Sequence, residues 1–134
     1  MRLKWYGWLG ALVVLVSEVL LFLGQPFVAK WFTPLVWTGY ILFADALVLH
    51  LKGTSLLHDR PREAVMLVWI SVGCWLLFEA YNLRLRNWYY VNVPENPLER
   101  NWAYLWSFAT IMPGMFETAE LLDGLGVFRH VKAQ

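Results

Sequence analysis

The chain has 134 residues, 59% of them hydrophobic and 17% aromatic, with a formal net charge of +1 and a mean hydropathy of +0.46. A soluble domain of this size does not need so much apolar surface, so a membrane is the natural solvent, and the near-neutral charge with no basic face excludes a nucleic-acid partner. The single cysteine, Cys74, excludes an internal disulfide and a thiolate metal cluster.

Four stretches reach the roughly 20 mostly apolar residues that a spanning helix needs. The first runs from about Trp5 to Leu23. It follows Arg2 and Lys4 as a signal peptide would, but Glu18 in its apolar core and the lack of a small-residue cleavage site make it a retained helix. Gly24, Gln25 and Pro26 form a turn, and the second stretch runs from about Pro34 to Leu51. Its Asp45 is the acid least able to reach an interface, so it needs a donor on another helix; Ser17, Ser71 and Thr110 are available by type.

Turn-formers from Gly53 to Pro61 lead to the third stretch, about Ala64 to Leu83. Ser71, Trp75, Glu79, Asn82 and Arg86 recur at helical spacing on one face. Glu79 then has Asn82 one turn away and Arg86 two turns away, with Arg84 in reach if the helix unwinds. The stripe is either an ion-paired helix end that locks the outer loop or an acid held beside an aromatic wall. Trp69 and Trp75, inside the span, need partners for their indole N–H groups.

The loop from Asn92 to Asn101 precedes the fourth stretch, about Trp102 to Leu122. Pro113 predicts a kink there, and carbonyls freed in a membrane must find partners or line a cavity. Glu117 and Glu120 share the face of that kink. Two carboxylates this close do not both ionise without a cation, so either one holds a proton or both bond to neighbouring helices.

These segments predict an all-α polytopic membrane protein: one domain over residues 1–134, a four-helix transmembrane bundle with no internal repeat. Every span carries an acid, which costs roughly 2.5 to 3.5 kcal/mol at the helix centre unless compensated. By depth the acids form a ladder across the bilayer. Glu18 and Glu79 lie near the outer ends and Glu120 near the inner end, leaving Asp45 and Glu117 to need a buried partner or a proton. One side of the path holds seven Lys and Arg (Arg2, Lys4, Lys52, Arg60, Arg62, Arg129, Lys132) and the other four (Lys30, Arg84, Arg86, Arg100). The larger group places both termini in the cytoplasm, with a bacterial inner membrane as the expected setting. Trp5, Tyr6 and Trp8 at one end, and Trp88 to Tyr90 with Trp102 at the other, suit the headgroup layer.

The candidate catalytic residues are Glu117, Glu79 and Asp45, and the candidate ligand-binding residues are Trp75, Phe78, Asn82, Phe116 and Glu120. No cofactor or metal is expected. The histidines His50, His58 and His130 are scattered, none lies at mid-depth, and no Glu-x-x-His repeat, serine nucleophile motif or phosphate loop is present.

The run Trp88, Tyr89, Tyr90, Val91, Asn92 followed by Pro97, Leu98, Glu99 resembles the small membrane lycopene cyclase domains of the heterodimeric kind. The stretch Phe78 to Glu120 is also similar to uncharacterised bacterial polytopic membrane proteins. The cyclase resemblance implies redox-neutral isoprenoid chemistry, with Glu99 matching the first motif acid and Arg100 standing where a second glutamate would be. Such chemistry needs an acid to protonate an alkene, aromatic faces for the cation and a base. Three readings follow: a non-catalytic subunit or binding protein for a membrane partner or lipid-soluble ligand, a carotenoid cyclase-like enzyme, and a proton-coupled carrier. The expected partners are the lipid bilayer, a hydrophobic ligand, and a second copy or larger membrane complex.

Overall fold

The computed structural model describes residues 2–127 and 129; His130 and Lys132 lie outside the described residues. It contains α1 (Trp5–Phe22), α2 (Pro26–Lys52), α3 (Leu56–Asp59), α4 (Pro61–Leu85) and α5 (Pro97–Gly124), and no strand among the described residues. The four expected segments are four long helices, and the second connection adds a fifth helix of a single turn.

Three helices start earlier than their apolar runs suggest, α4 by three residues at Pro61 and the other two by more. α2 begins at Pro26, not Pro34, because a proline in the first turn forfeits an N–H that has no intrahelical partner anyway. The helix continues through Pro34, whose carbonyl accepts the Thr38 hydroxyl at 2.7 Å. α5 begins at Pro97, not Trp102, where the Asn96 side chain caps the helix by accepting the Leu98 N–H at 2.9 Å. Gly24 and Gly53, at φ +73° and +78°, take the left-handed turns that end α1 and α2.

By length and composition α1, α2 and α4 can cross a membrane. α5 is as long, about 42 Å at 1.5 Å per residue, but Glu99, Arg100, Glu117, Glu120 and Asp123 make it more polar. Its position explains that polarity. α5 packs between α2 and α4; Glu117 is buried, and Glu99, Glu120 and Asp123 pair with Lys30, Arg60 and Lys52.

The packing order is α1, α2, α5, α4. α2 and α5 run parallel down the centre, tied by Lys30–Glu99 at one end and Lys52–Asp123 at the other, the latter at 2.9 Å. α1 lies antiparallel on α2, and α4 antiparallel on α5. The arrangement is an open row in which α1 and α4 take the outer positions; the expected four-helix count becomes five with the one-turn α3. Their exposed faces are apolar, with Trp8, Leu12 and Leu15 on α1 and Met66, Trp69 and Leu77 on α4.

Two close approaches fix the row. At the α1–α2 crossing, a Cβ on Gly10 would sit 2.4 Å from the Gly39 carbonyl oxygen, so only glycine lets these backbones touch. At the α2–α5 contact, a Cβ on Gly114 would meet the Trp37 ring at 2.9 Å. The α4–α5 contact combines the Trp75 and Phe108 rings, 5.8 Å apart, with a polar link. The Ser71 hydroxyl donates to the Phe108 carbonyl and accepts the Met112 N–H at 2.9 Å, entering the backbone ladder of α5 one residue before Pro113. That insertion gives backbone groups beside the proline a partner within the protein.

Candidate functional site

The acids gather at two ends of the row, not along a ladder. The starts of α1 and α4 and the ends of α2 and α5 form one end, called the basic end for Arg2, Lys4, Lys52, Arg60, Arg62 and Arg129. The α1–α2 turn and the α4–α5 loop form the other, the loop end.

Asp45 and Glu117 meet at the basic end, both 0% exposed. Asp45 accepts three hydrogen bonds: from the Tyr6 hydroxyl at 2.7 Å, the Ser55 hydroxyl at 2.9 Å and the Leu57 N–H at 2.7 Å. The expected donors Ser17, Ser71 and Thr110 are not the ones used. Ser71 serves α5, and Thr110 donates to its own helix at the Ser107 carbonyl. Asp45 lies seven residues from the end of α2, low enough in the row for the α2–α4 connection to fold back and cap it.

Glu117 differs. Among the described residues neither of its oxygens has a hydrogen-bond partner, and the Asp45 carboxylate, another acceptor, lies beside it. Two buried carboxylates in contact satisfy each other only by sharing a proton. The pair formed is therefore Asp45 with Glu117, rather than the expected Glu117 with Glu120.

Glu120 is neutralised separately. One Arg60 nitrogen donates to both its oxygens at 2.7 and 2.8 Å, while the other reaches Glu63 at 3.4 Å and the guanidinium lies 5.4 Å from the centroid of the Phe116 ring. The Glu120 hydrogen bond holds the Arg60 pKa above its ordinary value. Arg60 sits outside the long helices, between α3 and α4.

At the loop end, Glu79 Oε1 accepts the Trp88 indole N–H at 3.2 Å and the Tyr90 hydroxyl. Asn82 Nδ2 donates to the Trp88 carbonyl at 2.9 Å, and Asn82 Oδ1 accepts the N–H groups of Asn87 and Trp88. The stripe on α4 thus fastens the loop. It does so through aromatic donors and backbone amides, not through the expected Arg84 or Arg86; Arg86 ends the helix at φ +53°. Burial, and after it the Glu79 hydrogen bond, push the Tyr90 phenol above its ordinary pKa. The Trp75 indole faces the Tyr90 oxygen at 3.4 Å, whereas Trp69 is 71% exposed on the flank. Glu18 is exposed on α1 near the same end, and Glu99 pairs with Lys30.

The expected ligand-binding set is not one site: Phe116 and Glu120 are at the basic end, and Trp75, Phe78 and Asn82 at or toward the loop end. The open spaces are elsewhere. A groove of about 580 Å³ between α1, α2 and α5 is lined by Ala11, Val14, Val36, Trp37 and Phe43. The Tyr40 and Thr118 hydroxyls at its wall bond each other at 2.6 Å. A second, of about 660 Å³, lies against Trp31, Trp69, Val72, Trp102, Leu105 and Trp106. Asp45 and Glu117 line neither groove. Glu79 borders a third space of about 430 Å³ beside Leu76, Tyr104 and Phe108, with its carboxylate already engaged by the loop.

Tyr6, Ser55, the Leu57 amide and Arg60 were missed as site residues. A signal for Tyr6 existed, since folding the chain back at Gly24–Gln25 sets it opposite the stretch around Asp45. No family model, curated protein or solved structure matches the chain.

Proposed function

We propose that this is an integral membrane protein in which α5 crosses the bilayer beside α1, α2 and α4, acting without catalysis as a subunit or binding protein for a membrane partner or lipid-soluble ligand. The spanning of α5 rests on its place between two apolar helices, with Glu117 and Glu120 turned inward. The excess of Lys and Arg at the basic end favours its placement in the cytoplasm, in a bacterial inner membrane. The open row leaves α1 and α4 for a second copy or a larger complex.

One observation carries the non-catalytic reading: the buried acids and the large grooves are separate. An acid that protonates an alkene must touch it. Asp45 and Glu117 are fully buried among protein groups, while the two grooves able to take an isoprenoid are walled mainly by apolar side chains and carry no acid. That arrangement favours holding an apolar molecule or helix over cyclising one.

The test is gentle extraction of the tagged protein, followed by mass spectrometry of bound lipids and proteins and an absorption spectrum. A retained lipid-soluble ligand or membrane partner is expected. A bare monomer that cyclises a polyprene, and stops doing so as Glu117→Gln, would overturn the reading.

The donor-free contact of Glu117 with Asp45 favours one second reading, a proton-coupled carrier. It requires proteoliposomes containing the protein to take up protons with a solute, and Glu117→Gln to abolish the coupling.

A further inference from the structure

Where the start of α1 crosses the end of α2, the basic end has a cavity of about 370 Å³. Arg2, Lys4 and His50 supply its polar wall, Leu3, Ala46 and Leu49 its floor, and Trp5 its rim. We infer that this cavity binds the phosphate headgroup of an anionic phospholipid; the inference rests on the membrane reading above.

The cavity is held in shape by the core. The Tyr6 hydroxyl bonds Asp45 one turn below it, and Gly7 lets α1 press onto Ala46, where a Cβ would come within 2.4 Å. These contacts press the start of α1, with Arg2 and Lys4 just ahead of it, onto the last turns of α2. No carboxylate lines the cavity, and among the described residues none pairs with Arg2, Lys4 or His50. The first turn of α1 has neither a capping side chain nor an acid, so its positive end adds to the attraction for an anion.

The occupant must be both anionic and apolar. A phosphodiester meets the cations and the helix end, and its glycerol and first acyl carbons lie on the Leu3, Ala46 and Leu49 floor. Trp5, 75% exposed, belongs to the headgroup layer where such a lipid sits. Basic pockets between helices on the cytoplasmic side recognise headgroups in this way. Free phosphate has the charge but no use for the apolar floor.

The experiment is native mass spectrometry of the purified protein titrated with phosphatidylglycerol, phosphatidylcholine or inorganic phosphate. Phosphatidylglycerol should bind about tenfold or more tightly than phosphatidylcholine, by the usual contribution of basic residues near a headgroup. The Arg2→Ala/Lys4→Ala variant should lose that preference. His50→Glu should lose it too while keeping every Lys and Arg that sets orientation. Arg62→Ala/Arg129→Ala removes equal charge at the same end outside the cavity and should keep it.

Equal binding of the two lipids overturns the inference, as does an equal loss in the Arg62/Arg129 control, which would mean unspecific charge attraction. Displacement of phosphatidylglycerol by matched inorganic phosphate would instead mean a soluble-anion site and also overturn it. Release of the chain from membranes by alkaline washing would mark failure of the membrane reading itself.

Discussion

Glu117 on α5 and Asp45 on α2 meet inside the protein with all the donors on one side: Asp45 receives three hydrogen bonds and Glu117 receives none. The asymmetry leaves Glu117 as the buried acid without a donor. Through Tyr6, Ser55 and Leu57, this pair joins α1, α2, α5 and the turn before α4.

Substituting the two acids should therefore give unequal results. Glu117→Gln puts an amide donor where the shared proton would lie, so stability should stay within about 1 kcal/mol of the wild type. Asp45→Ala strands the Tyr6 and Ser55 hydroxyls and the Leu57 amide, at about 1 to 3 kcal/mol for each buried donor left unmet. Thermal unfolding of both variants in one detergent checks this. Equal destabilisation would refute the assignment.

Ser71→Ala should loosen the α4–α5 contact. The hydroxyl bridges Phe108 and Met112 beside Pro113, and its loss leaves those backbone groups without their partner from α4. A cost of about 1 to 3 kcal/mol is expected, with Ser71→Thr retaining part of it. Cross-linking between cysteines placed on α4 and α5 would report the separation.

The loop lock should fail at alkaline pH. The Tyr90 phenol has a raised pKa, so its proton is held more firmly when the loop is docked. Its contribution is complete below the free tyrosine value of about 10 and is lost as pH rises through the higher docked value. Protease cleavage between Arg86 and Asn96 should accelerate over that range. Tyr90→Phe should be cleaved faster already at neutral pH, with a weaker alkaline response.

The long helices were legible because a spanning helix must be apolar along its length, a local property of the chain. Asp45 and Glu117 stood out for the same reason, being the acids that no interface could explain. Their partners were not legible, because pairing them requires knowing which helices touch and in what register. Glu120 is the nearer acid to Glu117 in sequence, yet Arg60 claims it from the α3–α4 junction. The early starts at Pro26 and Pro97 were hidden by polar residues such as Lys30, Glu99 and Arg100, of which Lys30 and Glu99 pair with each other. For Glu79 the sequence left open a loop fastening or an acid beside an aromatic wall; its bonds run to Trp88 and Tyr90 of the loop rather than to the arginines.

The separation of acids from grooves is tested most directly by comparing what two variants retain after gentle extraction. Ala109→Trp fills the groove on the α4–α5 flank, and Glu117→Gln alters the buried pair without touching either large groove. The amount of lipid-soluble ligand or partner bound per protein, measured by mass spectrometry, should fall sharply for Ala109→Trp and match the wild type for Glu117→Gln. Retention by Ala109→Trp together with loss by Glu117→Gln would contradict the account, because the acid pair would then be the part of the protein that holds the ligand.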